Sequence, residues 1–96
     1  MHNIARSDAL EARIRALAAR LESCNPRITS LRVAVEQAGK HHHQGAQFSV
    51  KVEVRLPAQE PAVATRQHDE DVYVALRDAF DAARCQLEDA VRRQRP

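Results

Sequence analysis

Tryptophan is missing from these 96 residues, and the aromatic residues are confined to Phe48, Tyr73 and Phe80. A core without large rings has to be aliphatic, built from Leu, Val, Ile and Ala, and a surface without them offers no platform for stacking single-stranded bases. Glycine occurs only at Gly39 and Gly45, which excludes a glycine-rich loop that cradles phosphates. Cysteine is equally scarce. Cys24 and Cys85 are too few for a disulfide scaffold, and neither sits in a CxxC or near a second ligand, so two free thiols are expected. No apolar run approaches the roughly 20 residues of a membrane span. Met1 to Arg6 is polar, with no apolar segment after it, unlike a secretory leader. The expectation is a cytoplasmic protein with one domain over residues 1–96 and a single modest core.

What is present is aliphatic pattern and mixed charge. The net charge of +2 and pI of about 8.8 permit a nucleic-acid partner without requiring one. Asp8, with Glu11 three residues on, reads as an N-cap and capping box. Leu10, Ile14, Leu17 and Leu21 then fall in a stripe about 60° wide at 100° per residue. This predicts an amphipathic helix over residues 8–23, ended by Asn25-Pro26, with Arg13 and Arg20 together on one flank. From Ile28 the period changes to two. Leu31, Val33 and Val35 alternate with polar or small residues, predicting a half-buried strand over 28–36. After a polar loop over 39–45, Phe48, Val50, Val52, Val54 and Leu56 alternate with Ser49, Lys51, Glu53 and Arg55 in a second strand. A turn over 57–61 leads to a short third strand over 62–65. Asp69, Glu70 and Asp71 open the last helix, where negative charge suits the helix dipole. Its buried stripe is Val72, Leu76, Ala79, Ala83, Leu87 and Ala90, bordered by Tyr73, Phe80 and Val91. An antiparallel meander with one apolar face under two helices is an α+β two-layer sandwich.

Chemistry-bearing residues are sparse. No Ser or Cys has a recognisable base partner, and the acids at 69–71 read as a helix start rather than an acid/base pair. The sequence implies no enzyme activity and no cofactor. His41, His42 and His43 are types that ligate zinc, copper or nickel. Consecutive residues in a loop do not fix a tetrahedral site, however, and a solvated hairpin loop is the simpler reading. Arg13, Arg20, Arg32, Lys51, Arg55, Arg84, Arg92 and Arg93 are the candidate RNA-binding cations, because phosphate contact needs dispersed positive charge and tolerates its placement. From spacing alone, an ordinary mixed-charge exterior explains the same residues.

Several stretches resemble the ribosome hibernation-promoting factor and ribosome-associated inhibitor A family, also called sigma-54 modulation proteins. They are Ser7-Asp8-Ala9-Leu10-Glu11-Ala12-Arg13-Ile14, then Arg27-Ile28, and above all Asp69-Glu70-Asp71-Val72-Tyr73-Val74-Ala75-Leu76-Arg77-Asp78-Ala79 with Gln86-Leu87 beyond it. The last is similar to the family's Asp-x-Tyr-x-Ala-Ile pattern, and the resemblance runs from about residue 3 to residue 95. It implies a β-α-β-β-β-α fold in the family's short form. The implied partner is the small ribosomal subunit with its 16S-type RNA, whose messenger and transfer RNA channel would be blocked under stress. Family basic residues correspond to Arg20 and Arg93.

Three departures accompany the resemblance. The family's first strand has room only for a stub in Met1 to Arg6, so the strand at 28–36 is expected to keep an open edge and to pair in a homodimer. Ala82, Cys85 and Asp89 stand where relatives often carry Lys or Arg, and Ser23-Cys24 replaces bulkier residues. The order α-β-β-β-α is also that of a double-stranded-RNA-binding domain, but acids occupy the place of that domain's basic cluster. Two alternatives to ribosome binding follow. One is an interaction module of the same fold that has lost the ribosome, and the other is a metal-responsive variant using the histidine loop.

Overall fold

A computed structural model describes residues 7–38, 47–57 and 63–94. The element order is α1 (Asp8–Cys24), β1 (Ser30–Ala38), β2 (Gln47–Arg55), β3 (Val63–Asp69) and α2 (Val72–Gln94). The expected α+β class and α-β-β-β-α order are therefore present. His41 to His43, the turn after Pro57 and the stub at Met1 to Arg6 lie outside the described residues.

The strands form one antiparallel sheet in the order β1-β2-β3. The alternation read from the sequence holds along the centre of β2, where Val50, Val52 and Val54 are fully buried. Each removes a branched side chain from water, worth about 1.5–3 kcal/mol apiece. Val52 faces Val33 on one side and Thr65 on the other. Leu56, just past the strand, is buried too. On this face lie both helices, and Leu76, Ala79, Ala83, Leu87 and Ala90 of α2 close the core over β2 and β3. Three of those five are alanines, which lets the α2 backbone approach the sheet closely. The cover over β1 is thinner. Leu31 and Val33 remain partly exposed, as do Ile14 and Leu17 of α1.

The start of α1 differs from expectation. Ser7, not Asp8, caps α1: its Oγ accepts the Leu10 N–H at 3.0 Å, and its carbonyl accepts from Glu11 N–H. A hydroxyl one residue earlier reaches the third helical N–H, which is the usual N-cap geometry, and Asp8 becomes a dipole-complementing residue of the first turn. At the other end Asn25 donates from Nδ2 and from its backbone N–H to Leu21 O, so the helix runs to Cys24 before Pro26. The acidic residues stand at the start of α2 as expected, just before its first turn. Asp71 Oδ1 accepts the Tyr73 N–H at 2.9 Å as the cap, Asp69 Oδ1 accepts the Asp71 N–H, and Asp69 itself ends β3.

β1 is displaced by two residues from the expected span. β3 is seven residues long rather than a short piece ending at Thr65. Its inward residues after Val63 are Thr65 and Gln67, which carry no apolar signal. Thr65 is buried because its hydroxyl donates to Ala79 O of α2 at 3.0 Å. No described strand pairs with the outer edge of β1. No described helix is long and apolar enough to cross a membrane.

Candidate nucleic-acid interface

The two-layer architecture sorts the candidate cations onto opposite sides. Leu10, Ile14, Leu17 and Leu21 point α1 at the core, which turns Arg13 and Arg20 toward its flank facing α2. There Leu17, Arg20, Leu21 and Cys24 share a shallow groove with Phe80, Asp81 and Arg84. Asn25 shares the next depression with Glu88, Val91 and Arg92. The helices therefore run side by side in the same direction, with Arg20 and Arg84 on the two walls of one groove. Arg93 is exposed on the flank of α2 away from Arg84, because nine residues at 100° each place them about 180° apart.

Arg32, Lys51 and Arg55 lie on the other side of the molecule, on the sheet face that the helices leave open. Register puts Arg32 opposite Glu53, Arg55 opposite Ser30, and Lys51 between Ala34 and Arg66. The eight candidates thus form no single surface. Arg13, Arg20 and Arg84 gather on the helix layer, Arg32, Lys51 and Arg55 on the open sheet, with Arg92 and Arg93 near the end of α2.

Neutralisation by neighbours divides them again. Arg84 Nη1 meets Glu88 Oε2 at 3.5 Å, Arg92 Nη1 meets Asp89 Oδ1 at 3.2 Å, and Arg77 Nη2 meets Asp78 Oδ1 at 3.2 Å. All of these pairs are solvent-exposed, so each is weak and easily exchanged for another anion. Arg13, Arg20, Arg32, Lys51, Arg55 and Arg93 take part in none of them. Arg66 escaped the sequence reading. The apolar pattern of its strand ends at Thr65, and only the placement of Gln67 and His68 in β3 reveals Arg66 as a residue of the open face. Its Nη1 donates to Ser49 Oγ at 3.2 Å. The signal available was the alternation along Ala64-Thr65-Arg66-Gln67-His68, in which neither face is apolar enough to announce a strand.

Cys24 and Cys85 are free and exposed. Among the described residues no three His, Cys, Asp or Glu side chains are grouped to hold a metal. The arrangement offers dispersed cations on rigid elements, which is the equipment for binding a phosphate backbone. In comparison with known proteins, the sequence model of one family, described as Sigma 54 modulation protein / S30EA ribosomal protein, matches residues 1–95. No curated protein matches the chain.

Proposed function

The chain belongs to the Sigma 54 modulation protein / S30EA ribosomal protein family, and on that premise we propose that it binds the small ribosomal subunit and holds it idle. The observation that carries this reading is the match itself, because it takes in almost the whole chain. Arg20 and Arg84 on the walls of the α1–α2 groove, with Arg13 on the same flank of α1 as Arg20, support it, since they stand on packed helices and are exposed. In this reading they contact phosphates of the 16S-type RNA, occupy the channel for messenger and transfer RNA in the cytoplasm during stress, and need no catalytic step. Arg93 adds a contact from the end of α2.

Co-sedimentation with purified small subunits on a sucrose gradient tests the reading. Binding is expected at low salt, and log affinity is expected to fall with log salt at a slope of about −0.7 to −0.9 per phosphate contacted. The variant Arg20→Glu/Arg93→Glu should bind at least tenfold more weakly while keeping its helical circular dichroism. Unchanged affinity removes those two residues from the interface.

A second reading rests on the pairing of Arg84 with Glu88 and Arg92 with Asp89. These carboxylates lower the positive potential of α2 and favour an interaction module that has left the ribosome. Absence of the chain from small-subunit fractions even at low salt selects this alternative. The homodimer expected along residues 28–36 goes with either reading, shifted to β1 at Ser30–Ala38, whose outer edge pairs with no described strand. Light scattering decides it: a dimer mass supports pairing along that edge, and a monomer at high micromolar concentration ends it.

A further inference from the structure

We propose that the open face of the sheet is a second RNA-backbone surface, so that the chain is held between two segments of ribosomal RNA, one against the helices and one against the strands. The proposal rests on the ribosome-binding reading and extends it to a face that reading does not use.

The face is built by Ser30, Arg32, Ala34 and Glu36 of β1, Ser49, Lys51, Glu53 and Arg55 of β2, and Ala64, Arg66 and His68 of β3. Arg32, Lys51, Arg55 and Arg66 outnumber the carboxylates Glu36 and Glu53. No aromatic or large aliphatic side chain stands among them. A protein partner needs such anchors at the centre of its footprint, and stacked bases need rings. A phosphate backbone needs neither, only cations and hydroxyl groups presented on a stiff support.

One cross-strand row makes the case specific. Lys51 is directly opposite Arg66, and the third place in that row is Ala34, so no carboxylate lies across from either cation. Like charges directly opposed on neighbouring strands destabilise a sheet. The Arg66 guanidinium is turned to the Ser49 hydroxyl, a neutral acceptor, and makes no ion pair among the described residues. An anion lying across β2 and β3 would relieve the repulsion and find the exposed His68 beside it, while the buried Ser49 hydroxyl holds Arg66 in place. Because the sheet separates this row from Arg13 and Arg20, one backbone cannot lie flat on both sets.

The test compares salt dependence for small-subunit binding by the full chain, by Lys51→Gln/Arg66→Gln and by Arg13→Gln/Arg20→Gln. Loss of two phosphate contacts should make the log–log slope shallower by about 1.4 to 1.8 in each double variant, and by about twice that when all four are combined. The sheet variant should melt no lower than the parent, since it removes a repulsion. If the sheet variant keeps the parent's affinity and slope while the helix variant loses both, the second surface does not exist and the ribosome reading survives. If the parent itself fails to bind, both fall. A photo-crosslinker on Ala34→Cys, in a Cys24→Ser/Cys85→Ser background, gives an independent readout. RNA crosslinks from the bound complex support the proposal, and crosslinks to ribosomal protein alone overturn it.

Discussion

A buried threonine and a single serine hydroxyl show how much of this fold depends on polar atoms that hydrophobic patterning does not register. Thr65 occupies an inward position of β3 where valine would satisfy the alternation. Its hydroxyl instead donates to Ala79 O in the N-terminal half of α2, tying helix to sheet within the core. Thr65→Val keeps the shape and removes the donor, while the Ala79 carbonyl is left without that partner in a dry site. A loss of about 1 kcal/mol in urea unfolding is expected. No loss, or a gain, would mean that packing alone seats β3. Ser7 acts on the same scale at the helix end. Ser7→Ala deletes the acceptor for the Leu10 N–H and should cost about 1 kcal/mol, whereas Asp8→Asn, at the position where the sequence pattern places the cap, should cost distinctly less. Equal effects in thermal melts would return the capping role to Asp8.

At the scale of elements, the sheet face away from the helices carries an avoidable repulsion. Lys51→Glu would place a carboxylate opposite Arg66 and convert a like-charge pair into an attractive one, raising stability by about 0.5 kcal/mol. A destabilised variant would show that Glu53, two residues along the same strand, already sets the local field. What the sequence made legible follows the same division between apolar and polar signals. The α1 stripe from Leu10 to Leu21 and the Val50-Val52-Val54 run are readable because each turns one apolar face to the core, fully buried along β2 and, in α1, buried at Leu10 and Leu21 with Ile14 and Leu17 partly covered. The far half of β3 is not legible because its inward positions are Thr65 and Gln67, and the burial of Thr65 is decided by its hydrogen bond to α2 rather than by local hydrophobicity. The displacement of β1 arises likewise. Ile28 packs on the core without joining the ladder, and its N–H bonds to Asn25 O instead of to a strand. The acids at 69–71 mark the N-terminal end of α2 in the sequence, but that Asp71 is the residue that caps it only backbone geometry distinguishes.

On the scale of the whole molecule, where charge lies matters more than how much there is. The cations Arg13, Arg20, Arg32, Lys51, Arg55, Arg84, Arg92 and Arg93 were identifiable one by one in the sequence, but not their division between a helix layer and an open sheet. That division depends on which side of the sheet the helices cover. The same distribution makes the carboxylates of α2 informative. Glu88 and Asp89 hold Arg84 and Arg92 at the edges of the depressions between the helices, and as exposed pairs they contribute little to folding. Their removal should therefore act on binding and leave stability nearly untouched. In Glu88→Gln/Asp89→Asn both arginines are released to meet phosphate, and two negative charges that repel an RNA backbone are gone. Small-subunit affinity at low salt should rise at least tenfold, with a salt slope steeper by about 1.4 to 1.8 if both freed arginines make contacts. Unchanged binding with an unchanged melting temperature would place Arg84 and Arg92 outside the interface and confine ribosome contact on the helix layer to Arg13, Arg20 and Arg93.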